Sequence, residues 1–201
     1  MFFKDGSDTA DPVELSLAGE EGEAVSKRRA LELFESGLLD HLEAGTFKSL
    51  SEIHRHLFCQ TFDFAGKLRT VNIARGSFRF APVLYLREAV AAVERMPQSS
   101  FEEIIEKYVE MNVVHPFRDG NGRSARIWLD VILKKELRQA VDWSRVDKDE
   151  YLLAMERSPA VDTGIKILLL EALTDKIRDR DVYAKGIEAS YFFEECRILE
   201  V

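Results

Sequence analysis

The sequence predicts a mainly α-helical domain that carries one small β-hairpin. Apolar residues recur at helical spacing through most of its 201 residues. Alternation of apolar and polar residues is confined to 68–80, and Ser, Gly and Pro stand where helices would start and stop. At this length, with 46% hydrophobic content, one core suffices and no second domain is needed.

The first 25 residues stand apart. Asp5, Asp8, Asp11, Glu14, Glu20, Glu21 and Glu23 face only Lys4, so most of the net charge of −8 resides here. With little apolar periodicity, 1–25 reads as an acidic flexible tail. A helix over 26–36 opens at Ser26, runs through Ala30, Leu31, Leu33 and Phe34, and stops at Gly37. The next, over 49–62, puts Leu50, Ile53, Leu57 and Phe58 on one face. Val71, Ile73, Phe78 and Phe80 then alternate with polar residues around Gly76-Ser77, which reads as a hairpin. An isolated hairpin is marginal, so this one must lie on the helical body and leave an edge open to another strand.

Helices are expected again over 84–95, ended by Pro97, and 101–113, opened by Ser100 and closed by His115-Pro116. Phe101, Ile104, Ile105, Tyr108 and Met111 form the core-facing stripe of the second. Further helical patterns lie at 124–139, 148–157, 162–172 and 176–185.

The pI near 5.2 argues against a broad nucleic-acid or anionic-membrane surface, though a local basic pocket is compatible with it. Met1-Phe2-Phe3 is too short for a signal peptide's apolar region, and no run of 18 apolar residues occurs, so a cytoplasmic location is expected. Cys59 and Cys196 read as two free thiols. His54 and His56 do not suggest a metal site, because residues two apart on a helix point away from each other.

Chemistry concentrates in His115-Pro116-Phe117-Arg118-Asp119-Gly120-Asn121-Gly122-Arg123-Ser124-Ala125-Arg126. Gly120 and Gly122 permit left-handed backbone that turns successive N–H groups toward one point, an anion nest. The helical pattern behind them adds a helix N-terminus, with its orphan donors and partial positive charge. Arg123 and Arg126, three residues apart, can reach one anion. Asp119 offers the hard oxygen that Mg²⁺ takes when it also binds phosphates. His115, with an ordinary pKa near ~6.5, is the loop's general base at neutral pH. An EF-hand reading of Asp119, Asn121 and Asp130 fails, because Arg123 and Ser124 occupy its fifth and sixth places. A Walker-type loop fails for want of Gly-Lys-Ser/Thr.

This segment resembles the Fic motif, His-x-Phe-x-Asp/Glu-Gly-Asn-Gly-Arg-x-x-Arg, at every fixed position. The resemblance extends to Ile53-His54-Arg55-His56-Leu57-Phe58, Phe64-Ala65-Gly66-Lys67-Leu68-Arg69 and Ser190-Tyr191-Phe192-Phe193-Glu194. It covers roughly 27–201 and is nearest the small bacterial class with a C-terminal inhibitory helix. The resemblance implies a Fic fold: a catalytic domain over 26–186 whose hairpin at about 68–80 is a flap, followed by an inhibitory helix over 187–201. The implied activity moves AMP from ATP to a Tyr, Thr or Ser hydroxyl of a target protein. His115 would take the hydroxyl proton, and Mg²⁺ on Asp119 would bridge the α- and β-phosphates. Gly120, Asn121 and Gly122 would orient phosphoryl oxygens, Arg123 and Arg126 would hold the pyrophosphate end, and Phe117 would anchor this nucleotide loop. Val71, Ile73, Phe78 and Phe80 belong to the flap that pins the target's modified segment.

Ser190 and Glu194 share a helix face, and Glu194 is placed by the resemblance to reach Arg126 and fill the room of the γ-phosphate. The class continues Ser/Thr-x-x-x-Glu with Gly or Asn, where this chain has Glu195. Tyr191, beside that lock, is a candidate self-modification site, with plain packing as its alternative. In resembling bacterial toxins the targets are type II topoisomerases such as DNA gyrase, which makes a topoisomerase the candidate partner; a homo-oligomer is compatible. Transfer of another phosphate-containing group, removal of AMP, and a non-catalytic binding module stay open as alternatives.

Overall fold

The computed structural model describes residues 12–193 and 199–200, with side chains over 20–193. Residues 1–11, Glu194, Glu195 and Cys196 of the expectations above lie outside the described residues.

Helix α1 runs Pro12–Glu35, so residues 12–25 are helical where a flexible tail is expected. Pro12 sits at the first helical position, where its fixed φ and missing N–H cost nothing. Glu23 pairs with Lys27 one turn on at 2.9 Å, in the favourable order. A Cβ at Gly22 would come within 2.9 Å of the Thr61 methyl, so this stretch is seated against the body. Ser26 is therefore mid-helix and donates to the Glu23 carbonyl rather than capping.

Helix α2 (Phe47–Phe58) is capped by Thr46, whose hydroxyl accepts the Ser49 N–H. Its apolar face is the expected one, with Leu50, Ile53, Leu57 and Phe58 buried. Strands β1 (Ile73–Arg75) and β2 (Phe78–Arg79) form the predicted hairpin, pairing Ala74 with Arg79 and Arg75 with Phe78. Gly76 takes φ +58° in the two-residue turn, where a side chain is disfavoured. Helix α3 (Leu86–Glu94) leads to α4 (Phe101–Val114), which opens with a capping box between Ser100 and Glu103. Helix α5 (Asn121–Leu137) begins three residues earlier than expected.

After α5 come β3 (Ala140–Val141), α6 (Lys148–Arg157), α7 (Thr163–Glu171) and β4 (Leu173–Thr174). The pairing of β3 with β4 is a second ribbon beyond the single hairpin expected; two-residue strands are too short to show a period. Helix α8 (Arg180–Phe192), capped by Asp179, unites the patterns at 176–185 and 187 onward. Gly186 lies within it, buried against Trp143, whose ring would be 3.4 Å from a Cβ there. Strand β5 (Leu199–Glu200) pairs antiparallel with β1, Ile73 with Glu200 and Ala74 with Leu199. Of the two hairpin edges, β5 pairs on that of β1, as unpaired edge groups accept an extended segment within reach, and β2 stays the outer strand of this sheet.

At the centre, α5 packs against α4, α2 and α8, while α1 bridges α2 and α8. Ile104, Ile105, Tyr108, Trp128, Leu129 and Ile132 are fully enclosed. The Trp128 Nε1–H donates to the Thr46 carbonyl at 3.0 Å, tying α5 to the start of α2. Buried Lys107 gives its three protons to the Glu94 and Met96 carbonyls and Gln98 Oε1. Among the described residues no helix is long and apolar enough to cross a membrane.

The Asp130 carboxyl accepts from the Val141 N–H at 2.8 Å and from Trp143 Nε1 at 2.9 Å, fixing the segment on which α8 rests. Burial raises its pKa to about 7, against those two hydrogen bonds that favour the carboxylate. In the unfolded chain Asp130 ionises near pH ~4, so between about pH 4 and 7 the folded state holds one more proton there. This contribution to stability is full below the lower value and is lost as pH rises through the upper one. The stability difference between wild type and Asp130→Asn, from urea melts, should accordingly shift against wild type from pH 5 to 8. A pH-independent difference would place the titration elsewhere.

Candidate active site

The segment between α4 and α5 turns sharply at His115. Its backbone is left-handed (φ 50°, ψ 66°), an unfavourable conformation for a residue with a Cβ. The turn is held by buried Arg69. Its Nε donates to the His115 carbonyl at 2.8 Å and one terminal nitrogen to the Val114 carbonyl at 3.2 Å. On its other side the guanidinium donates to the Val71 carbonyl at 2.8 Å and to the Ala81 carbonyl, the two stems of the hairpin. The Arg69 N–H adds a bond to the Pro116 carbonyl at 2.9 Å. Burial lowers the Arg69 pKa, and four carbonyl oxygens compensate the enclosed charge.

The imidazole of His115 is 3% exposed. Its Nδ1 lies 3.1 Å from the Asn112 carbonyl, which can only accept, so Nδ1 carries the proton of the neutral ring and Nε2 is the basic nitrogen. Phe80 stacks on this ring at 3.8 Å and 20°, so the hairpin and the base are in direct contact. Phe78 meets Phe80 edge-on at 5.3 Å, and Ile73 is buried beneath the sheet. Val71 and Phe80 lie just outside the strands.

Phe117 is fully buried, its ring 3.8 Å from that of His54 and 5.8 Å from that of Phe47. Asn121 closes the loop: its Oδ1 accepts the Phe117 N–H and its Nδ2 donates to the Phe117 carbonyl, both at 2.8 Å. These two bonds use one of the two Nδ2 protons and one Oδ1 lone pair, and they fix the side chain across the loop. Gly120 is left-handed (φ 76°), and a Cβ there would meet the Phe58 ring at 2.5 Å. Gly122, by contrast, sits in the first turn of α5 with helical backbone, so only one of the two glycines serves a left-handed turn. The amides of α5 ahead of Ser124, whose own N–H reaches the Gly120 carbonyl at 3.1 Å, have no carbonyl of their helix within reach. The Asp119 side chain is half exposed; its Oδ1 accepts the Gly120 N–H at 2.6 Å and lies 3.4 Å from Arg123.

His54 is a site residue that sequence reasoning set aside. Its Nδ1 must accept the Gly66 N–H at 2.9 Å, so Nε2 bears the proton and donates to the Asp119 carbonyl at 2.8 Å. Burial depresses its pKa to about 4, and the nearby Arg123 charge acts the same way, so the ring is neutral at physiological pH. Its spacing of four from both Leu50 and Phe58, on the apolar face of α2, is the signal that marks it as an inward-pointing polar group.

The arginines differ. Arg123 lies over the rings of Phe58 at 4.7 Å and Tyr191 at 5.3 Å. Arg126 is 3% exposed and turned to α8: its Nε donates to Ser190 Oγ at 2.6 Å and a terminal nitrogen to the Ser190 carbonyl at 2.7 Å. Phe193 packs over the same guanidinium at 5.4 Å. Tyr191 is buried between Arg123 and Lys27, a packing position rather than an accessible hydroxyl. Glu194, three residues on from Tyr191, lies outside the described residues.

Comparison with known proteins agrees with this geometry. Residues 45–133 match the model of the Fic/DOC family. The probable protein adenylyltransferase y4lH of Sinorhizobium fredii is 30% identical over 142 residues, covering 65% of this chain and 70% of that protein. The probable protein adenylyltransferase Fic of Salmonella typhimurium is 36% identical over 92 residues, 40% of this chain, and the chain spans only 46% of that relative's length. In fold, the chain superposes on the BepC protein of Bartonella tribocorum, solved with bound AMPPNP, with a TM-score of 0.65 at 20% identity over 86% of this chain and 92% of the other. The chain belongs to the Fic/DOC family.

Proposed function

We propose that this chain transfers AMP from ATP to a hydroxyl side chain of a target protein and is restrained by its own C-terminal helix. What supports the reading is that His115, with its Nδ1 proton directed to Asn112 and Nε2 left as the basic nitrogen, shares one short loop with Asp119, Arg123 and the start of α5. The adenylyltransferase names of relatives support the same reaction.

A Ser, Thr or Tyr hydroxyl lying across the Phe80–His115 stack would lose its proton to Nε2 as its oxygen bonds to the α-phosphorus. The bond from that phosphorus to the bridging oxygen breaks, and pyrophosphate departs. The α5 amides stabilise the charge that develops on the phosphoryl oxygens. Asp119 fits Mg²⁺: it is one accessible hard oxygen, and among the described residues no group of three His, Cys, Asp or Glu could hold a metal without phosphate ligands. Bound there, the ion supplies neutralisation of the triphosphate. Arg126 must exchange Ser190 for phosphate, and Glu194, four residues after Ser190 in the sequence, is the carboxylate that this reading sets against the exchange.

His115→Ala should abolish AMP transfer while leaving ATP binding measurable by calorimetry, because the phosphate contacts lie on α5. Undiminished labelling by the pure variant would remove His115 from the role of base. Asp119→Ala should lose Mg²⁺-dependent turnover, and excess EDTA should silence the wild type; activity that survives chelation counts against the metal.

Glu194→Gly tests the restraint. A charge-assisted bond is worth about 1.5–3 kcal/mol, so its loss should raise the labelling rate at least about tenfold. Incubating this variant with labelled ATP and lysate, then identifying the labelled protein, names the target. Equal rates for wild type and variant at saturating ATP would reduce Glu194 to a surface charge.

A further inference from the structure

The strand order β2-β1-β5 places a piece of this chain on the outer edge of the hairpin. The hairpin stem is tied through Arg69 to His115, Phe80 just after β2 covers the imidazole, and β1, paired with β2, carries the edge on which β5 sits. An edge strand presents one row of backbone donors and acceptors, and only one partner can occupy it at a time. Strand β5 occupies it by antiparallel pairing of Leu199 and Glu200 with Ala74 and Ile73.

We propose that β5 is a built-in competitor for the hairpin edge, excluding an extended segment of the target protein until a longer strand displaces it. This rests on the reading of the hairpin as the target-docking element. Recognition on this edge is through backbone hydrogen bonds, so the displacing partner is an extended peptide segment presenting a hydroxyl residue. Two paired residues make a weak ladder. Tethering offsets this by keeping β5 at an effective concentration on the order of mM, which a longer ladder can still overcome. Because α8 in the same segment engages Arg126 through Ser190, one stretch of chain bears on both the nucleotide and the target halves of the site.

The test uses Leu199→Pro, which removes a backbone donor and disfavours pairing, and a chain ending at residue 197, each alone and with Glu194→Gly. Amide hydrogen exchange over 73–75 should accelerate in both. A synthetic peptide of residues 197–201 at mM concentration should restore protection in the shortened chain. With Glu194→Gly, either change should raise labelling of lysate proteins at limiting concentration at least about twofold, the least that one net backbone bond implies, and the peptide should reverse the gain. Unchanged exchange at 73–75 in both variants overturns the proposal, as does faster exchange with no gain in labelling. If Glu194→Gly alone labels nothing, the transfer reading has failed; the exchange arm still decides whether β5 holds the edge.

Discussion

Arg69 sets the geometry that the site requires. A left-handed His115 is costly by itself and persists only where the surroundings over-determine it. The guanidinium supplies that determination, because a planar fork of donors can satisfy several carbonyls only when those carbonyls converge. Val114 and His115 come from the end of α4, Val71 and Ala81 from the hairpin stems, and all four meet one side chain. His115 and the hairpin are therefore one mechanical unit. Without it the stack of Phe80 on His115 would have no fixed partner.

The other half of the loop is held from α2. His54 locks the Asp119 carbonyl and the Gly66 N–H with its two nitrogens, Asn121 brackets Phe117, and Phe58 lies where a Cβ on Gly120 would fall. All three are contacts to backbone, or to the absence of a side chain. They shape the loop and leave Asp119 and the α5 amides for a ligand.

This division explains what was legible in the sequence. The reactive loop could be read because its chemistry is local: a base, a carboxylate, glycines and arginines within twelve residues that open a helix. Arg69 and His54 were not legible as site residues, because each acts on carbonyls some 45 to 65 positions away. The helices over 101–113 and 148–157 fall nearly where periodicity and capping place them. The start of α1 and the unbroken α8 escaped, since the Gly22–Thr61 and Gly186–Trp143 contacts that accompany them are tertiary. The pairings β3–β4 and β1–β5 involve two residues a side, shorter than any detectable alternation.

The state of Arg126 follows from the same accounting. Its side chain is almost completely removed from water, so its charge must be met by oxygens at every stage. Ser190 meets it with a hydroxyl and a carbonyl, neither of them charged, beneath the face of Phe193. A phosphate oxygen carries charge and forms the stronger bond to a guanidinium. The α8 contacts are thus good enough to satisfy Arg126 in the absence of nucleotide and weaker than a triphosphate could offer. Loss of Ser190 would remove two acceptors from a buried cation, whereas exchange for an anion would replace them. The restraint proposed for α8 is therefore a competition for one guanidinium, and its strength depends on how firmly α8 is seated.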